Sequence, residues 1–132
     1  MPIGDTRLSP VDVADVAAIA AGLLTADGHE SRAYDITGPE ALTMTEIVER
    51  ISAATGRPFR YVDVTFEEKR RRYTAAGLPP HMVDLFDEQF RERRRTPETR
   101  IEVAAHHTFG VSPTSFAGFA HAHSAEFTGP AR

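Results

Sequence analysis

The sequence has 132 residues, of which 41% are hydrophobic and 26% are charged, and its formal net charge is −4. This length predicts a single domain over residues 1–132. The absence of cysteine excludes disulfides, thiolate metal sites and cysteine nucleophiles, and the negative charge argues against nucleic acid as a partner. No apolar run approaches the roughly 20 residues of a membrane span. The start of the chain is also unlike a signal peptide, so we expect a cytoplasmic protein with no membrane partner.

The first predicted helix begins between Pro10 and Asp15. Ser9 and Pro10 suit the cap and first position of a helix. Asp12 and Asp15 have a spacing that would also suit a pair of acid–base carboxylates. Negative charge is favoured at a helix start, so capping is the preferred interpretation. Many alanines follow, which would allow the helix to pack closely on a sheet.

The central stretch from Tyr34 to Gly56 predicts a strand, a turn and a helix. Polar and apolar residues alternate over Tyr34–Thr37, as in a strand, and Gly38-Pro39 ends the alternation. Thr43 and Glu46 have the spacing of a capping box. Gly56 is the predicted C-terminal cap of this helix.

The second half of the chain predicts one more strand and further helices. Residues 59–64 alternate as a strand, and Thr65 with Glu68 repeats the capping-box spacing before a third helix. A fourth helix is predicted over His81–Arg94. The fifth is expected from Thr96-Pro97-Glu98 to about His107, and the sixth after Ser112-Pro113. The fold class is therefore α/β and helix-rich, with about six helices and two to three short strands.

Several segments together resemble a known family. They are YDITGPEALTMTEIVERISAATGRPFRYVDV at 34–64, VDVADVA at 11–17, AGLP at 76–79 and FGVSPTSF at 109–116. As a set they are similar to the C-terminal part of NmrA-like NAD(P)-binding proteins, which are atypical short-chain dehydrogenase relatives. That family includes enzymes of the NAD(P)H:quinone oxidoreductase type. The resemblance spans nearly the whole chain.

The resemblance implies the substrate-binding lobe of a Rossmann-type reductase, acting on a quinone-like or other carbonyl substrate. Family members carry a Gly-rich phosphate loop, and the sequence contains no G-x-G-x-x-G motif. We therefore expect no cofactor to be bound independently. NAD(P) is expected only if another chain supplies a dinucleotide-binding domain, and the lobe alone should not be catalytic.

The resemblance also implies a partner. In the family, the strand equivalent to Tyr34–Thr37 is expected to join the edge of the dinucleotide-binding sheet. An exposed strand edge has to be covered. We therefore expect a homodimer or a partner chain at this edge. The alternative function is a non-catalytic dimerising or regulatory module.

A substrate pocket is the candidate site in this lobe. The side chains expected to form it are Asp12, Phe66, Tyr73, Met82, Phe86 and Phe90. We call the last five the aromatic wall, which would suit a flat ring or another small apolar ligand. The alternative is that the same residues are the core of the lobe. That alternative is favoured for Phe86 and Phe90, whereas Tyr73 has a hydroxyl that needs a polar partner or solvent.

Two other patterns in the sequence are candidate sites. Histidines cluster late in the chain, but only His123 and Glu126 have the spacing of helical metal ligands. A pair is too few, so no metal site is predicted. The basic clusters Lys69–Arg72 and Arg91–Arg95 are interleaved with acidic residues. Solvated helix faces are the favoured interpretation of these clusters.

Overall fold

The computed structural model describes residues 1–97 and 99–129, and these form seven helices. The helices are α1 Val13–Thr25, α2 Met44–Thr55, α3 Phe66–Ala75, α4 Pro80–Arg95, α5 Ala104–Thr108, α6 Phe116–Ala122 and α7 Ser124–Thr128. The helix-rich prediction is confirmed. A turn at His123 divides the expected sixth helix into α6 and α7. None of the described helices is long and apolar enough to cross a bilayer.

The centre of the fold is α2, which packs against α6 and α7. The predicted capping box is present: Glu46 N donates to Thr43 Oγ1 at 3.2 Å, and Thr43 N donates to Glu46 Oε2 at 2.7 Å. At the other end, Gly56 has a φ of 67°, the left-handed conformation that glycine adopts without strain. Both predicted ends of this helix are confirmed.

Helix α1 begins at Val13, within the expected range, but its cap is Asp12 and not Ser9. Asp12 Oδ1 accepts a hydrogen bond from Ala14 N at 2.8 Å. Ser9 is occupied elsewhere, because its carbonyl accepts from Gly38 N at 3.2 Å and its hydroxyl lies 3.0 Å from the hydroxyl of Thr99. The prediction of a Ser9 cap is therefore wrong.

The two predicted strands are extended segments that pair with no strand among the described residues. The one β pairing there is an isolated antiparallel bridge between Leu8 and Leu42. Thr37 N donates to Glu102 O at 3.1 Å, and Phe59 N donates to Ser52 Oγ at 2.9 Å. Each segment thus meets a loop or a side chain instead of the strand neighbours that a ladder requires.

Helix α5 begins much later than predicted. Thr96 is the C-terminal cap of α4, since its amide donates to Glu92 O at 3.0 Å. Glu98, the last residue of the predicted start, lies outside the described residues. The carbonyl of Pro97 accepts from Arg7 N at 2.7 Å, and Glu102 N donates to Thr37 Oγ1 at 2.8 Å. These bonds to distant segments hold Pro97 and Glu102 outside a helix, and α5 begins at Ala104.

Helices α3 and α4 pair with each other as a hairpin. The hairpin is tied to the first residues of the chain, where Thr6 Oγ1 donates to Arg93 O at 3.3 Å. The buried apolar side chains that hold the whole lobe together are Ile3, Ile19, Leu42, Ile47, Val83, Phe90, Ala105 and Ala120. Val83 and Phe90 come from α4, so the hairpin shares the core of the lobe.

Candidate functional site

The aromatic wall lies mainly between α3 and α4. The ring centroids of Tyr73 and Phe86 are 5.3 Å apart, and those of Phe86 and Phe90 are 6.4 Å apart. Phe90 is buried, with 9% of its surface exposed, whereas Tyr73 and Phe86 are half-buried. The row of rings therefore runs from the core at Phe90 towards the surface at Tyr73.

Two cations lie against the faces of the outer rings. Lys69 Nζ is 4.2 Å from the centroid of Tyr73, and the Arg91 guanidinium is 4.5 Å from the centroid of Phe66. A cation over a ring face is attracted by the negative potential of that face. Positive charge is thus held directly beside the aromatic wall.

The exposed edge of the hairpin is apolar. On α4, Met82 is 37% exposed and Leu85 is 54% exposed. They are three residues apart and share one side of the helix, while Val83 faces the interior. A flat ring could contact this edge without displacing any buried side chain.

A hydrogen-bonded network holds the end of α4 against the start of the chain. Asp63 Oδ2 lies 2.5 Å from Arg94, and its Oδ1 accepts from Tyr61 Oη at 2.8 Å and from Gly4 N at 3.2 Å. Arg94 Nε also donates to Pro2 O at 2.8 Å. Sequence analysis missed this network. Its only sequence signal is the spacing of Tyr61 and Asp63, which places them on one side of an extended segment.

This network shifts the pKa values of Tyr61 and Asp63. Burial and the bond to Asp63 raise the pKa of Tyr61 to about 12. Partial burial opposes ionisation of Asp63, but the hydrogen bonds from Tyr61 and Gly4 and the charge of Arg94 hold its pKa below the ordinary value. The phenol therefore stays a donor and the carboxylate stays an acceptor over the neutral pH range.

Asp12 is not brought together with the aromatic wall. Asp12 lines a separate cavity, whose described lining residues are Pro10, Val11, Asp12, Thr114, Phe116 and Phe119. None of the five wall residues is among them. The structure thus divides the expected pocket residues between two places, the α3–α4 hairpin and the start of α1.

Asp15 and Asp12 do not form an acid–base pair. Asp15 is buried, and it accepts from Thr114 N at 2.7 Å and from Thr114 Oγ1 at 2.8 Å. The fully buried His106 places Nε2 3.5 Å from Asp15 Oδ2. Capping is confirmed for Asp12, while Asp15 instead ties α1 to the loop before α6.

The histidine and basic clusters have local partners. His123 Nδ1 lies 2.9 Å from Glu126 Oε1, and the described residues contain no group of three metal-ligating side chains. Arg70 pairs with Asp84 at 2.7 Å and with Asp87 at 3.0 Å. The side chains of Arg70, Asp84, His123 and Glu126 are exposed, as expected for solvated helix faces, whereas only 14% of the Asp87 side chain is exposed.

The turn at Gly38-Pro39-Glu40 does not fit a dinucleotide phosphate. Pro39 has no amide to donate, and the Glu40 carboxylate accepts from Phe116 N at 2.9 Å and from Arg50 at 3.0 Å. A Cβ on Gly38 would lie 1.8 Å from Pro10 O. Glycine is thus required here by close backbone packing, and its amide donates to Ser9 O. The turn therefore leaves no space for a phosphate beside Gly38.

Known proteins show similarity along most of the chain. An NAD(P)H azoreductase of Xenophilus azovorans is 37% identical over 127 residues, which cover 96% of this chain and 44% of the azoreductase. No protein-family model matches the sequence. The match lies in the C-terminal part of the azoreductase, and the chain spans less than half of that relative's length.

Solved structures show the same fold. The NADPH-dependent quinone oxidoreductase of Escherichia coli superposes with a TM-score of 0.75 at 21% identity, covering 89% of this chain and 43% of the oxidoreductase. The triphenylmethane reductase of Citrobacter gives a TM-score of 0.78 at 20% identity, covering 96% of this chain and 43% of the reductase. The chain is therefore similar to a C-terminal lobe of larger reductases.

Proposed function

We propose that this chain, which belongs with the C-terminal part of the NmrA-like NAD(P)-dependent reductases, forms the substrate-binding lobe of such an enzyme. The similar proteins are named for the reduction of azo compounds, quinones and triphenylmethane dyes. Quinones and triphenylmethane dyes contain quinonoid or aromatic rings. A lobe that receives a flat ring is the role that these relatives and the aromatic wall support best.

The observation that carries this proposal is the α3–α4 hairpin itself. Tyr73 and Phe86 present half-buried rings, and Met82 supplies an exposed apolar edge. Apolar surface with a few convergent polar groups is typical of small-molecule sites. Lys69 and Arg91 add positive charge beside the rings, which favours a substrate with carbonyl oxygens. The proposed substrate class is therefore quinone-like.

The cofactor is proposed to come from outside these residues. NAD(P)H would be held by a dinucleotide-binding domain, supplied by another chain or by a longer form of this one. In that arrangement, the residues of this lobe bind and orient the substrate, and the cofactor supplies the reducing equivalents. We expect no reduction by the lobe alone.

The test is the binding of a quinone and of NADPH to the purified chain. Menadione should bind saturably in ligand-observed NMR, and it meets no thiol to alkylate because the sequence has no cysteine. Tyr73→Ala should weaken this binding on the order of tenfold, since it removes one ring of the wall. NADPH should give no saturable heat in calorimetry.

The matched control is Phe59→Ala. Phe59 is 38% exposed and lies outside the aromatic wall, so its removal should leave menadione binding unchanged. Loss of binding in both variants, or in neither, would contradict a site at the wall. Saturable NADPH binding would overturn the proposal that the cofactor site lies outside these residues.

A second candidate function is a dimerising or regulatory module, and α1 supplies the observation that favours it. Val13 is 79% exposed and Leu24 is 85% exposed at opposite ends of this apolar helix. A second copy covering α1 and the extended segment Tyr34–Thr37 would bury this surface. Sedimentation velocity should then show a dimer at micromolar concentration, and Leu24→Asp should dissociate it. A monomer at that concentration would argue against this function.

A further inference from the structure

A cavity lies where the start of α1 meets the start of α6, apart from the aromatic wall that the proposed function uses. Its volume is about 230 Å³. A cavity of about 150 Å³ is large enough to hold benzene. The cavity therefore has room for one substituted ring but not for a large fused system.

Two phenylalanine rings form its apolar side. The centroids of Phe116 and Phe119 are 6.0 Å apart, with an angle of 41° between the ring planes. Phe119 also contacts His123, whose ring centroid is 4.4 Å away, and Phe127, whose ring centroid is 6.4 Å away. His123 is in turn held by Glu126. The two rings therefore have aromatic neighbours of their own and are suited to contact another aromatic ring.

Thr114 lines the cavity, and its hydroxyl has no proton left to donate. Thr114 Oγ1 donates to Asp15 Oδ1 at 2.8 Å, and Thr114 N donates to Asp15 Oδ2 at 2.7 Å. Asp15 is itself buried, so this arrangement is held inside the lobe. A hydroxyl oxygen that donates its proton still has a lone pair, so Thr114 Oγ1 can act only as an acceptor for a ligand.

Asp12 adds a second acceptor. Its Oδ1 accepts from Ala14 N at 2.8 Å as the cap of α1. Within residues 1–97 and 99–129, its Oδ2 has no hydrogen-bond or ion-pair partner. The positive end of the α1 dipole offsets part of the carboxylate charge. A neutral donor is therefore better matched to this position than a full cation.

We propose that this cavity is a binding site for a single-ring aromatic molecule that donates a hydrogen bond, of the phenol or arylamine class. The ring packs against Phe116 and Phe119, and the donor reaches Asp12 Oδ2 with Thr114 Oγ1 beside it. The site is independent of the quinone-binding wall, so either one can be present without the other.

The test compares two probes that differ by one hydrogen-bond donor. The purified chain is titrated into 4-fluorophenol and into 4-fluoroanisole, and binding is followed by fluorine NMR. Fluorophenol should bind saturably and on the order of tenfold more tightly than fluoroanisole, since the methyl ether cannot donate to Asp12. Equal binding of the two probes, or no binding of fluorophenol, would overturn the proposal.

Two variants locate the site. Asp12→Ser retains a good helix cap but removes the carboxylate, so it should abolish the preference for fluorophenol. Phe119→Leu should weaken both probes, whereas its matched control Phe59→Leu changes an exposed ring outside the cavity and should weaken neither. Unchanged probe selectivity in a folded Asp12→Ser chain would contradict the assignment. If that variant does not fold, the probe selectivity of the unchanged chain and the two Phe→Leu variants decide the question.

Discussion

Helices α1 and α2 are almost equal in length, at 13 and 12 residues, but they differ in how much of their apolar surface is buried. α2 is amphipathic, with one polar and one apolar face, and it packs against α6 and α7. α1 is the more apolar of the two, yet only Asp15 and Ile19 are buried in it. Its exposed residues include Val13, Ala14, Ala17, Ala18, Ala20, Ala21 and Leu24.

The difference teaches that the apolar content of a helix does not reveal where its partners are. A helix that is apolar on most sides is typical of one that is packed on more than one side. Within the described residues, α1 packs mainly against α5. Its outward face is therefore the surface where a dinucleotide-binding domain or a second copy would be expected, in line with both candidate functions.

The largest expected effect comes from removing the one apolar anchor of α1. Ile19 is 1% exposed, so Ile19→Ala should lower the free energy of unfolding by about 2–5 kcal/mol through the cavity that it leaves. The measurement is chemical denaturation followed by circular dichroism. The matched change Leu24→Ala should stay within about 0.5 kcal/mol, because Leu24 is exposed. If both substitutions lowered the free energy of unfolding by similar amounts, α1 would not have one buried and one exposed side.

A smaller effect is expected at the capping box of α2. Thr43→Ala should cost about 1 kcal/mol of unfolding free energy, because the amide of Glu46 loses its acceptor. Thr43→Ser keeps a hydroxyl at the same position and should restore most of that loss. Equal loss in both variants would show that the methyl group of Thr43, and not its hydroxyl, is what stabilises α2.

The contrast between the helices also shows what could be predicted from the sequence. The ends of α2 follow from contacts within a few residues, so the cap at Thr43 and the stop at Gly56 were predictable. The start of α5 depends on bonds from Glu102 to Thr37 and from Arg7 to Pro97. Such bonds join segments far apart in the chain, and no local pattern marks them.

The candidate site also has some features that follow from local spacing and others that depend on tertiary packing. The stacking of Phe86 and Phe90 follows from their spacing of four residues on α4, which is visible in the sequence. The contact between Tyr73 and Phe86 joins two helices, so it depends on tertiary packing. Tertiary packing separates Asp12 from the aromatic wall. The same packing places Asp12 at one cavity with Phe116 and Phe119. Gly38 was predicted only as the end of a strand, whereas the structure shows that it admits the carbonyl of Pro10.

The smallest effect, and the one most specific to α2, is the acid dependence of Glu46. The hydrogen bond from Thr43 N, followed by the bond with the Thr43 side chain, lowers the pKa of this carboxyl below its ordinary value. A lowered folded pKa means that the stabilisation is present above the unfolded pKa, near 4.3 for glutamate. It is lost as the pH falls through the folded pKa.

Carbonyl-carbon NMR should therefore show Glu46 titrating below that reference. Glu46→Gln keeps an acceptor that cannot titrate, so it should remove this part of the acid dependence while leaving α2 folded. A Glu46 that titrates at or above the reference would show that the capping box does not depend on the charge of the carboxylate.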